Sequence, residues 1–303
     1  MRRLLRSITS NRRATAGVAL LAVFTVVAAF PRLLERDNPN AIIYPPNAGP
    51  TAAHWLGTTQ LGGDIWAQVI VGTRSVLILA IAVGLLTTVT AMGIGVAAAY
   101  FGGVWDSVLN LVTDVMLVIP LFPLLMIIAG YLHNAGDPIL IVVLSFTGWS
   151  YTARQLRSQA QSLRARDYLL AAKVRGERSW YIICVEIIPT MTSLLVASFL
   201  ANALYAVLAG SGLQFLGLGN ANNISWGSIL YNGDQQMALQ NGQYLWEIAP
   251  GVCIALLGAA FALINYAFDE IGNPALRPMR RRKSRRPRRV LAGGRHAAPA
   301  AGT

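Results

Sequence analysis

Five runs of about twenty apolar residues, at positions 14–34, 75–100, 108–132, 192–210 and 245–264, leave this chain few folds to choose from. Such a run crosses a hydrocarbon layer of roughly 30 Å as a helix, because every backbone N–H and C=O must there be satisfied within the segment. A sixth run, 138–153, is shorter and holds Gly148 and Ser150. It either extends through Gln155 or is shielded from lipid by neighbouring helices. At 54% hydrophobic and 13% charged residues the chain is too apolar for an ordinary soluble domain. The expected fold class is an all-α integral membrane protein with six transmembrane helices.

Basic residues at the ends of membrane spans tend to stay in the cytoplasm, which gives an independent reading of topology. Arg2, Arg3, Arg6, Arg12 and Arg13 precede the first span, and seven cations from Arg154 to Arg178 lie between the fourth and fifth. Ten more, from Arg277 to Arg295, follow the sixth, and only Arg32, Arg36 and Arg74 fall elsewhere. Both termini are therefore expected in the cytoplasm, with residues 35–74 and 211–244 facing outward. The first span reads as a retained anchor, since the apolar stretch is long for a signal core and FPRLLERDNP after it lacks a small-x-small cleavage pattern. The net charge of +12 sits where topology and anionic lipid account for it. The tail RPMRRRKSRRPRRVLAGGRHAAPAAGT reads as a disordered basic segment against the inner leaflet; no aromatics interleave with its charges, so nucleic acid is not an expected partner. Cys184 and Cys253 fall on opposite sides of the membrane in this topology, and no disulfide is expected.

Between the fourth and fifth runs lies ARDYLLAAKVRGERSWYIICVEIIPT, residues 165–190, which is charged and yet helix-prone. Asp167 can cap a helix or favour its N-terminus electrostatically, and the residues to Val174 are mostly good helix formers. Gly176 suits a helix stop, Ser179 can cap a second short helix, and Pro189 can occupy the first turn of the next. Ala172 and Gly176 are four apart, so they share a face on which another backbone can approach closely, with Tyr168 and Leu169 beside it. Two readings stay open from periodicity: a ridge presented to a cytoplasmic protein, or an amphipathic helix resting on its own membrane domain.

The chain carries no G-x-x-x-x-G-K-[ST] phosphate loop, no H-E-x-x-H and no G-x-S-x-G elbow, and His54, His133 and His296 are too scattered for a metal site. His54 reads as part of an outward loop. Asp114 lies inside the third run, where a carboxylate facing lipid is costly, so it should face an Arg or backbone group near the inner interface, or else solute or a proton path. Asp269 and Glu270 stand near the inner end of the sixth. Pro120 and Pro123 favour a kink in the third run. The glycines of LAGSGLQFLGLG, 208–219, suit close packing and loop closure more than a hinge, and Trp226 reads as an interfacial anchor.

Asp167, Ala171, Ala172, Gly176 and Pro189 together resemble the EAA loop of bacterial ABC-importer permeases, with Asp in place of the commoner Glu and Glu186 where relatives often have His. HWLGTTQLGGDIWAQVIVGTRSVL, AYFGGVWD, TGWSYTARQLRSQAQSLRARDYLLAAK, LAGSGLQFLGLG, SWGSIL and DEIGNPALRP follow in the order found in the dipeptide, oligopeptide and nickel permease family, and resemble its C-type subunit from about His54 to Arg277. The resemblance implies a type I ABC importer transmembrane fold. Residues 1–73 would form an N-terminal cytoplasmic segment, first span and outward loop; 74–275 the transporter domain with a cytoplasmic coupling loop at about 154–190; and 276–303 the basic tail. It further implies a non-enzymatic importer subunit for peptides or similar solutes, nickel chelates being the alternative, and an ion-coupled carrier the alternative of another class. Implied partners are a homologous B-type permease, two ATPases that hold ATP and magnesium, an extracytoplasmic solute-binding protein and membrane lipid. Cofactors are expected in the partners and none in this chain. Asp167, Tyr168, Leu169, Ala171, Ala172, Gly176 and Pro189 would couple to the ATPases.

Overall fold

The computed structural model describes residues 12–131, 136–219 and 223–272. Arg2, Arg3, Arg6, His133, His296, the basic tail, and the side chains of Asp269 and Glu270 lie outside the described residues. Among the described residues every element is helical, apart from an isolated antiparallel bridge between Thr58 and Asp64.

In chain order the helices are α1 (Arg12–Ala29), the single turn α2 (Pro31–Leu34), α3 (Ile65–Phe101), α4 (Gly103–Val118), α5 (Leu121–Tyr131), α6 (Asp137–Arg164), α7 (Asp167–Val174), α8 (Ser179–Thr190), α9 (Thr192–Phe215), α10 (Trp226–Gln235) and α11 (Tyr244–Gly272). Four of them, α1, α3, α9 and α11, are long and apolar enough to cross a membrane, and the pair α4–α5 makes a fifth if it counts as one broken span. α6, expected as a span from its first half, does not reach the same apolarity: it turns polar from Gly148 and carries Arg154, Arg157 and Arg164.

α3 begins ten residues before the apolar run at 75–100, because Asp64 supplies a start signal. Its carboxylate accepts from the N–H groups of Trp66 and Ala67, both at 3.3 Å, satisfying donors that the first turn leaves orphaned. Burial pushes this carboxyl above the ordinary range, and those two backbone bonds oppose the shift. The kink expected at Pro120 is a break: α4 and α5 meet at 85°, with Ile119 extended (φ −66°, ψ 126°) as the ring of a following proline demands.

α3 is the central helix, and small residues set how near its neighbours come. A Cβ on Gly95 would lie 2.4 Å from the carbonyl oxygen of Ala153 on α6, and one on Gly210 of α9 would lie 2.5 Å from Leu79. Helices immersed in lipid gain little from burying apolar surface on one another, so close packing and interhelical hydrogen bonds carry the association. One such link joins three helices: Asn202 of α9 donates to the Thr88 hydroxyl of α3 at 3.0 Å and accepts from the Thr152 hydroxyl of α6 at 3.1 Å, all three buried.

At the other end Trp226 is a core residue and not the interfacial anchor its motif suggested. It is fully buried, donates its indole N–H to the Val69 carbonyl at 3.0 Å, and packs edge-on against Phe24. Ser225 caps α10 through a reciprocal bond with Ser228. His54 is buried in the 35–64 loop against the Tyr44 ring. The LAGSGLQFLGLG glycines divide by role: Gly210 lies within α9 at a close contact, and Gly217 ends that helix in the left-handed region (φ 77°).

Gly93 and Gly95 offer a paired test. A methyl at Gly93 enters open space, whereas at Gly95 it meets a backbone carbonyl that cannot rotate away. Gly95→Ala is expected to destabilise the detergent-solubilised protein by about 1–3 kcal/mol and Gly93→Ala to leave it unchanged or slightly more stable, read as melting temperature.

Candidate functional site

The charged insert folds as α7, a corner, and α8, placed directly after α6 with only Ala165 and Arg166 between. Asp167 occupies the first turn of α7 and favours it electrostatically; it is not the cap, a place taken by Arg166 without a side-chain bond. Ser179 likewise lies inside the first turn of α8, after Arg178. Gly176 is the helix stop. At φ 78° its N–H donates to the Lys173 carbonyl at 3.0 Å while the Glu177 N–H reaches the Ala172 carbonyl at 3.2 Å, the paired closure that a left-handed residue after a helix allows. α8 widens into a π-turn at Ile182–Ile187 just before Pro189, whose missing N–H and ring are accommodated by a looser turn.

The face expected to receive a close approach is divided. Ala172 and Leu169 are buried within the chain's own core, beside Ala99 of α3, Leu156 and Ala160 of α6, and Ile182 of α8, and neither is open to another protein. Gly176 is exposed, with nothing within 4 Å of where a Cβ would stand. What α7 turns outward is a different stripe: Asp167, Leu170, Ala171 and Val174, spaced i, i+3, i+4, i+7. Leu170 is 49% and Val174 89% exposed, Tyr168 is 41% exposed at the edge, and Pro189 is exposed on α8. The helix thus rests one face on its own domain, as the second of the two sequence readings has it, and leaves the other uncovered. Leu170 and Val174 were not among the residues expected from the sequence, although their spacing from Asp167 and Ala171 was visible there.

The basic residues leading into α7 are engaged. Arg157 grips Asp106 of α4 with two hydrogen bonds, Nε to Oδ1 at 2.6 Å and Nη2 to Oδ2 at 2.7 Å, and Arg154 pairs with Asp114. The partner expected for Asp114 is therefore an arginine. Arg164 donates to the Ala99 carbonyl at the end of α3 at 3.2 Å, and Lys173 lies 5.1 Å over the Tyr100 ring. α7 is seated on α3 and α6 by apolar burial and reaches the end of α3 through Lys173, while the arginines tie α6 to α3 and α4.

α7 is thus held firmly on one face, with the apolar side chains of Leu170 and Val174 left bare on the other. Residues 90–278, which include the whole insert, match the family described as the inner membrane component of binding-protein-dependent transport systems. This chain belongs to that family. It is 32% identical over 93% of its length to the oligopeptide transport system permease protein OppC of Mycobacterium tuberculosis, covering 95% of that protein. It is 28% identical to the dipeptide transport system permease protein DppC of Bacillus subtilis, over 90% of this chain and 85% of the relative. The DppC of Alkalihalophilus pseudofirmus is equally similar at 28%, over 90% and 89%. These relatives are named as permeases and not as enzymes.

The closure at Gly176 yields a prediction for this inner membrane component. Asn tolerates the left-handed region and a β-branched residue does not, so Gly176→Val should cost about 1–2 kcal/mol of stability and Gly176→Asn distinctly less, measured as thermal melting of the purified chain.

Proposed function

We propose that the chain is the permease subunit of an ATP-driven importer of di- or oligopeptides, in which α7 is the helix that a cytoplasmic ATPase grips. Its six spans comprise α1, α3, the broken pair α4–α5, α6, α9 and α11, with both termini in the cytoplasm. The distribution of cations supports this orientation, and the naming of the relatives as oligopeptide and dipeptide permeases supports the solute class. A homologous permease completes the path, two ATPases supply ATP and magnesium chemistry, and an extracytoplasmic binding protein delivers solute. Residues 74–275 form the transporter domain, 154–190 its coupling loop, and 276–303 a basic tail against the inner leaflet.

The observation that carries the reading is the split of α7 into an inward face with Leu169 and Ala172 fully covered and an outward stripe with Val174 nearly bare. In mechanical terms, the buried face makes the helix part of the α3–α6 body, so a displacement applied at the stripe moves that body as a unit. Each nucleotide state of the motor then favours a different packing of the spans. Within the coupling set, Leu169 and Ala172 hold the helix in place, while Asp167, Tyr168, Leu170, Ala171 and Val174 meet the partner; Gly176 and Pro189 shape the ends.

In a complex purified with its ATPases, Val174→Glu and Leu170→Glu are expected to lower ATPase retention at least tenfold while the chain remains inserted. A lone cysteine at position 174, after replacement of Cys184 and Cys253, should cross-link to an ATPase subunit. Full retention in both charged variants with no cross-link would refute the docking of the motor at α7.

A further inference from the structure

α4 is weakly held by apolar contact with its own chain. Thr113 is its one buried residue among the described side chains, and Val104, Val108, Leu111, Val115 and Val118 are exposed. Its polar residues tell a different story. Asp106, Asn110 and Asp114 recur every four positions, hence on one face, and that face meets the last three turns of α6. Arg157 takes Asp106 with both arms of its guanidinium, Gln161 reaches the same carboxylate at 3.5 Å, and Arg154 takes Asp114, which Asn110 steadies at 3.0 Å. The corner between α3 and α4 is covered by the same helix: a Cβ on Gly102 would lie 2.5 Å from Nη1 of Arg164.

α6 therefore has two attachments in sequence. Its C-terminal end passes through two residues into α7, and the turns just before that end hold α4, which continues through the 85° break into α5. An apolar contact between helices slides; a two-armed guanidinium–carboxylate pair fixes both distance and direction. The Arg157 and Asp106 side chains are only 25% and 22% exposed, so solvent screens them less than a surface pair.

We propose that Asp106 and Arg157 are a positioning pair through which movement of α6 and α7 is passed to α4 and the broken span. The inference rests on the reading of α7 as the docking helix. The pair touches neither solute nor nucleotide; it keeps α4 in register with the element that the motor displaces. Without it α6 still moves but α4 lags, and ATP is hydrolysed with less solute carried.

The test uses the complete importer in lipid vesicles, with ATP hydrolysis and solute uptake measured on the same preparation and assembly read from the ATPase retained. Asp106→Asn, Arg157→Gln and the double variant remove the charges while nearly preserving size. Each single variant is expected to assemble normally and to carry at least fivefold less solute per ATP. The double variant should be no worse than either single, because two groups that act as one unit are lost only once. An unchanged ratio of solute to ATP in the single variants overturns the proposal. So do losses that multiply in the double variant, or uptake and hydrolysis that fall together with assembly. The cysteine cross-link at position 174 separates the two claims: if it forms while the ratio stays unchanged, the positioning pair fails and the docking helix stands.

Discussion

The crossing of α3 and α6 depends on the absence of one atom. At Gly95 the two backbones are so close that a Cβ would press on the Ala153 carbonyl, and from this point the buried seam runs through Leu156 and Ala160 to Leu169 and Ala172. Lipid offers no hydrophobic reward for bringing helices together, so close contact over small residues, with hydrogen bonds such as the Thr88–Asn202–Thr152 link, does what a core does in water. The position of α7 is a consequence of that seam, since the residues that seat it are the seam's last members.

The proposed function rests on the difference between the two sides of an eight-residue helix. One side is committed to the chain's own packing, and the other is left uncovered. The cations around it serve two ends. Their number supports the proposed placement of this part of the chain in the cytoplasm, and their individual geometry ties α6 to α3 and α4.

Much of this was legible in the sequence. The apolar runs located the helices, Pro120 marked the break, Gly176 marked a helix end, and Asp114 in an apolar run demanded a partner that proved to be Arg154. What was not legible depended on contacts distant along the chain. Nothing in the local pattern distinguishes Ala171 from Ala172, yet one is exposed and the other covered, because the choice is made by α3 and α8. Trp226 resembled an interfacial anchor for the same reason: only the Val69 carbonyl, far away in sequence, makes it a buried donor. The start of α3 was missed because it is set by the Asp64 carboxylate, and capping is a polar signal that a hydropathy pattern does not register.

The length of α3 reaches beyond the protein itself. Thirty-seven residues make a rod of about 55 Å, against a hydrocarbon layer of roughly 30 Å. A lone helix of that length would lean until its apolar part matched the lipid, at little cost. This one cannot lean alone, since the crossing with α6 and the indole of Trp226 hold it near both ends. Where the bilayer thickness disagrees with its apolar length, the helices it crosses must tilt with it or the surrounding lipid must deform.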